Sequence, residues 1–204
     1  TMRFLAPILS LFLLVSCGGG GDSSSTSTAP TQSACVLIDT DYDIDDMMAI
    51  PSVIGNKYVA AMITSEGYTK PEMAASSLGR LTAEAGQRHI PIIVGASTNL
   101  SDASIITMWG DFVLQYRTLM DRLNNFMATA LPPNVPGDRN YVKQVSDAVA
   151  SCQSVDVLVI GTFSSFVQYS PAIRSKIGQV VVMGKPLEGD TSQTPGNYSF
   201  NCEY

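Results

Sequence analysis

Histidine occurs once in these 204 residues, and positive charge is scarce: 12 Lys and Arg face 18 Asp and Glu, a net charge of -6. An acidic chain repels phosphate backbones and anionic lipid, so nucleic acid and charged bilayer surfaces are excluded as partners. The single histidine, His89, stands just before an apolar run and reads as a surface residue at a strand start. Beyond the first seventeen residues no segment is long and apolar enough to cross a bilayer as a helix. There is no internal repeat.

Residues 1–17 read as an address. Arg3 supplies a positive start, and Leu5 to Val15 is an apolar run of eleven residues, which suits a signal-peptide core and is too short for a membrane span. The run ends in Leu14-Val15-Ser16-Cys17, which resembles the lipobox of bacterial lipoproteins. That resemblance implies cleavage before Cys17 and a lipid on its thiol. Gly18 after the cysteine then implies sorting to the outer membrane, so the expected location is the cell envelope, with the membrane touched only through the lipid. The alternative is an ordinary secretory signal with an incidental cysteine. Residues 18–33 open on four glycines and continue in Ser and Thr. They hold too little apolar surface to fold and read as a flexible tether.

Residues 34–204 have a globular composition and the length of one domain. Apolar runs predict strands at Val36–Asp39, Lys57–Thr64, Ile90–Val94, Val155–Ile160 and Val180–Met183, the first and the last two as buried strands. Helices are expected at Ile44–Ile54, Pro71–Gln87, Ile105–Ala130 and Tyr141–Ala150. Such alternation predicts an α/β fold, an open and mostly parallel sheet with helices on both faces. Ligands in these sheets bind beyond the carboxyl ends of the strands.

One stretch at such an end concentrates charge. Five of the eighteen acidic residues fall within Asp39-Thr40-Asp41-Tyr42-Asp43-Ile44-Asp45-Asp46, directly after Cys35-Val36-Leu37-Ile38. Carboxylates this close stay charged only when a cation or water neutralises them. A calcium loop of the EF-hand type would need Gly at its sixth position and Glu at its twelfth. Counting from Asp39 gives Ile44 and Ile50, and counting from Asp41 gives Asp46 and Ser52, so both registers fail. A haloacid dehalogenase-type phosphatase would use Asp39 as nucleophile, Asp41 as acid/base, Thr162 as phosphate ligand and Lys185 as charge clamp. The Gly-Thr or Thr-Leu usual after the second Asp is absent.

The run VLIDTDYDIDDMMAI resembles the opening of the inosine–uridine preferring nucleoside hydrolases, a hydrophobic strand followed by Asp-x-Asp-x-Gly-x-Asp-Asp. Further segments resemble that family in the same order: Val59–Thr64, HIPIIVGAS, VDVLVIGTFSSF, KIGQVVVMGK and GNYSFN. The resemblance runs from Cys35 to Tyr204. It implies a nucleoside hydrolase-like fold with a Rossmann-like core, a bound Ca²⁺ and cleavage of the N-glycosidic bond of a ribonucleoside or related riboside. It also implies that Asp41, Asp46 and the backbone carbonyl of Ile160 hold the ion. Asp41 would be the catalytic base, Asp45 and Asn201 would bind the sugar, and Asp39 would support the site from behind.

Departures from the family pattern sit at the site itself. Asp43 replaces the motif glycine and either adds a ligand or crowds the ribose. Gly67-Tyr68 falls where an Asn is usual, Ser199 where a Glu is usual, and Lys185 replaces a Gly. The family continues past the position of Tyr204 with a late Asp ligand and, in many members, a His, so the resemblance implies a fragment. A domain that keeps the fold and binds a sugar or protein partner without turnover is the contrasting reading; a homo-oligomer is left open.

With Cys17 lipidated, three cysteines remain. If the strands after Cys35 and Cys152 both deliver ligands, they are neighbours, and a disulfide between them is an option; two separate buried thiols are the expectation. Trp109, Phe112 and Tyr116 have helical spacing, which favours core packing over a base-stacking wall. Met47 and Met48 read as packing residues, and Asp138-Arg139 as a solvated loop pair.

Overall fold

The computed structural model describes residues 32–97, 101–127 and 140–184. Within them the chain runs β1 (Gln32–Thr40), α1 (Ile44–Asn56), β2 (Val59–Thr64), α2 (Pro71–Glu84), β3 (Ile92–Val94), α3 (Asp102–Trp109) and α4 (Asp111–Met127). It continues with α5 (Tyr141–Ala148), β4 (Cys152–Val159), α6 (Phe166–Ile173), a 3-10 turn at Arg174–Lys176 and β5 (Ile177–Val182). The strands form one sheet in the order β3-β2-β1-β4-β5, and every adjacent pair is parallel. This is the α/β architecture expected, with β1 at its centre.

The apolar runs explain that position, because a strand covered on both faces needs apolar residues at odd and even positions alike. Leu37 of β1 belongs to a core with Val145 of α5 and Tyr169 and Ile173 of α6, whereas Ile38 belongs to a core with Ile50 of α1 and Ala74 and Leu78 of α2. Successive residues of one strand thus feed opposite layers. All six residues of β2 are buried.

Three expectations are corrected, and one helix is added. The helix expected over Ile105–Ala130 is two, α3 and α4, parted at Gly110, whose φ of 88° lies in the region glycine favours. The apolar periodicity does not announce α6, which carries Pro171 inside it. The fifth strand is not buried: β5 is the sheet edge among the described residues, bordered only by β4, and Val181 is 54% exposed. Separate thiols at Cys35 and Cys152 are replaced by a disulfide, with Cα atoms 5.9 Å apart, joining neighbouring strands β1 and β4. No described helix is long and apolar enough to cross a membrane.

Candidate metal centre

β1 carries the acidic stretch to the carboxyl edge of the sheet. Asp41, Tyr42 and Asp43 bridge β1 and α1 without regular structure, and Tyr42 takes a positive φ of 52°, uncommon for a residue with a side chain. The turn is held by Asp46, whose Oδ2 accepts the Tyr42 main-chain N–H at 2.9 Å and the hydroxyl of Thr40. The Tyr42 N–H also reaches Thr40 Oγ1 at 2.9 Å. A β-strand, a left-handed residue and the first turn of a helix therefore fold the acidic run back on itself.

The result brings carboxylate oxygens of Asp41, Asp43 and Asp46 within 4.8 Å of one another. Asp41 and Asp46 are buried, and Asp43, the least enclosed of the three, is only 8% exposed. Asp45 is exposed on the first turn of α1. Two unit charges about 4 Å apart repel by about 4 kcal/mol at an effective dielectric near 20. Burial raises Asp41 to about 8, helped by the charge of Asp46 and opposed by the N–H of Tyr68. Burial and a hydrogen bond with Asp45 raise Asp43 to about 9. Burial raises Asp46 to about 6, opposed by the Thr40 hydroxyl and the Tyr42 N–H.

The second wall is the loop after β2. The Tyr68 N–H donates to Asp41 Oδ2 at 2.9 Å, and a Cβ on Gly67 would strike the Asp41 carboxylate, so this close approach requires glycine. The third is the turn after β4. Ile160 N–H and Gly161 N–H donate to the main-chain oxygen of Asp39 at 2.8 and 3.2 Å, and a side chain on Gly161 would collide with the backbone of Thr40 and Asp41. Ile160 is thereby held beside Asp41.

Asp39 lies wholly buried beneath this floor. Its Oδ1 accepts the Ser65 hydroxyl at 2.6 Å; Ser65 and Ser165 hydroxyls are 2.7 Å apart, and Ser165 Oγ accepts the Ala96 N–H at 2.8 Å. Burial pushes Asp39 up to about 7 against the pull of Ser65 and of Tyr169. One polar chain thus ties the carboxyl ends of β1, β2, β3 and β4. Thr162, the candidate phosphate ligand, instead donates its hydroxyl to the Glu66 carbonyl at 2.8 Å and pairs with Ser164.

Several of these residues escape pattern reading. Arg117 of α4 is buried, pairs with Glu66 at 3.2 Å and donates to the Gly67 carbonyl at 2.6 Å; Asn124 Nδ2 donates to Thr69 Oγ1 at 3.2 Å. Both occupy the buried stripe Val113, Arg117, Met120, Asn124. Polar residues interrupting an apolar stripe at helical spacing are the signal that finds them. Tyr116 meets Tyr68 edge to face with ring centroids 4.6 Å apart. Burial, and then the nearby carboxylates, raise both hydroxyls above their ordinary range.

The core role expected for Phe112 and for Met48 fails: Phe112 is 59% and Met48 71% exposed, while Tyr116 is half-buried against Tyr68 and Met47 packs on the core. His89 is exposed, as expected. The tether expected over residues 18–33 ends earlier, because Gln32 and Ser33 already belong to β1; Cys17, residues 18–31, the Trp109 side chain, Asp138, Arg139, Lys185, Ser199, Asn201 and Cys202 lie outside the described residues.

Comparison with known proteins bears on this geometry. The chain is similar to a solved inosine–guanosine nucleoside hydrolase, with TM-score 0.57 and 17% identity over 82% of this chain and 54% of that one. It is similar to the inosine-uridine preferring nucleoside hydrolase of Bacillus anthracis, with TM-score 0.54 and 14% identity over 77% and 52%. It is also similar to the type III effector protein XopQ, solved in complex with adenosine diphosphate ribose, with TM-score 0.55 and 10% identity over 80% and 46%. The chain spans about half the length of these solved proteins. No curated protein matches it. The family model described as inosine-uridine preferring nucleoside hydrolase matches residues 36–203, from the first strand through the acidic turn and beyond β5, and the chain belongs to that family.

Proposed function

We propose that this chain carries the acidic half of a calcium-dependent N-glycosidase that splits ribonucleosides into ribose and base. The observation that carries this reading is the buried trio Asp41, Asp43 and Asp46 at the carboxyl end of β1 in a member of this family. The donor set suits a hard divalent cation: it is all carboxylate oxygen, and Asp43 Oδ1 is buried without a hydrogen-bond partner. Asp41, Asp46 and the carbonyl of Ile160 would hold the ion. Bound there, calcium supplies Lewis acidity, lowering the pKa of water and anchoring sugar hydroxyls.

The chain's own groups perform the rest. Asp41 accepts a proton from the attacking water, whose oxygen bonds to the anomeric carbon of ribose. The carbon–nitrogen bond breaks, its electron pair leaves with the base, and the base takes up a proton. Asp45, exposed beside the trio, and Asn201 bind ribose hydroxyls and fix the sugar's register. Asp39 acts through the floor, as a positioning residue. Ribose release from inosine and uridine by the full-length gene product, with and without Ca²⁺, tests this reading.

Tyr68 favours a second reading. Its ring stands beside the carboxylates, where the family usually has Asn. In that reading the domain keeps the fold and the ion and binds a sugar or a protein partner without turnover. For location, we propose the cell envelope with a lipid on Cys17; the buried Cys35–Cys152 disulfide supports an oxidising compartment.

A further inference from the structure

Asp43 occupies the N-cap position of α1, with extended φ and ψ of -88° and -165°. An Asp there ordinarily accepts an N–H of the first helical turn, which is worth about 1 kcal/mol. Asp43 makes no such bond. Its carboxylate instead joins those of Asp41 and Asp46, and its buried Oδ1 has no hydrogen-bond partner. An unpartnered buried carboxylate oxygen is costly, and one that forgoes a cap beside two further carboxylates is costlier still. The positive end of α1 offers about half a unit charge, which cannot balance three carboxylates.

We propose that Asp43 is itself a direct ligand of the divalent cation. The site is then a tricarboxylate centre in which the residue at the motif's glycine position supplies an oxygen and a charge of its own. This rests on the reading that the site holds a cation, and it gives that site a property of this chain: tighter binding of highly charged ions, with one fewer water on the metal.

Terbium luminescence on the full chain separates the parts, since Tb³⁺ replaces Ca²⁺ among oxygen ligands and its decay in H₂O and D₂O counts coordinated water. The wild type is expected to bind Tb³⁺, displaceable by Ca²⁺. Asp43→Gly should weaken Ca²⁺ about 100-fold and add about one water to Tb³⁺, because it removes both charge and donor. Asp43→Asn keeps the shape and a carbonyl oxygen. It should therefore lose affinity with the water count unchanged. Unchanged affinity and water count in Asp43→Gly, with binding still abolished by Asp41→Ala, would overturn the assignment of Asp43 alone. A wild type that binds neither Ca²⁺ nor Tb³⁺ would overturn the cation reading and the ligand together. Equal affinity losses in Gly and Asn with no added water in Gly would reduce Asp43 to a long-range charge and also refute direct ligation.

Discussion

The main-chain N–H of Tyr68 donates to Asp41 Oδ2 at 2.9 Å, across 27 residues of chain. The same loop is gripped from behind by α4, through Arg117 on the Gly67 carbonyl and on Glu66. The orientation of the proposed base thus depends on the helix that holds its partner loop. Replacing Arg117 by Met removes the positive charge opposite buried Glu66, which costs about 3 kcal/mol of stability by denaturant titration. Calcium affinity should fall with it, and the Glu66→Gln/Arg117→Met pair should recover part of the stability but not the affinity. Unchanged affinity in a folded Arg117→Met protein would remove α4 from the account.

Gly67→Ala tests the same contact from the other side. A Cβ there runs into the Asp41 carboxylate. The expected result is a folded protein whose calcium-dependent rise in melting temperature needs at least about tenfold more Ca²⁺. Gly55→Ala is the control, since its Cβ would meet nothing within 4 Å and glycine inside a helix is mildly destabilising. It should leave calcium binding unchanged and slightly raise stability.

Linkage gives a pH dependence with a definite sign. Burial raises Asp39, Asp41, Asp43 and Asp46 to between about 6 and about 9, whereas their unfolded values lie near 3.8. The metal-free folded state therefore binds more protons than the unfolded state between these limits. Its stability is fully present below pH about 4 and declines as pH rises towards about 9. Added Ca²⁺ opposes this, because it competes with those protons, so the calcium-induced rise in melting temperature should grow over the same window. A calcium effect that is flat across pH 5 to 9 would contradict the assignment of these carboxylates to the ion.

The Cys35–Cys152 bond closes a separation of 117 residues. In the chain-entropy account a loop of that size contributes about 5 kcal/mol. Denaturant titration of Cys35→Ala/Cys152→Ala should show a loss of that order. Both cysteines are buried, so reductant alone should leave the folded protein's near-ultraviolet circular dichroism unchanged and act only once denaturant opens the sheet.

Much of the sheet is legible in sequence because its signals are local. Apolar runs of strand length alternating with helical segments fix the parallel class, and the acidic run marks the edge where β1 ends. What escapes is non-local. Nothing in the sequence around Arg117 names Glu66 or Gly67 as its partners, 50 residues away in the case of Gly67, and the exposure of β5 follows from its having, among the described residues, β4 on one side only. The disulfide needed strand order, not spacing. Within the acidic run, alternation treats Asp43 and Asp45 alike. The start of α1 separates them: Asp43 at the N-cap joins the buried trio, and Asp45 in the first helical turn is exposed.

Ribose release from ribonucleosides by the full-length gene product, compared with its Asp41→Ala variant, tests the central claim most directly. The account predicts calcium-dependent turnover of inosine or uridine that falls by about a thousandfold or more in the variant. Absence of turnover with any ribonucleoside, in a protein that still binds Ca²⁺ through Asp41, would contradict it and leave the domain a binding module.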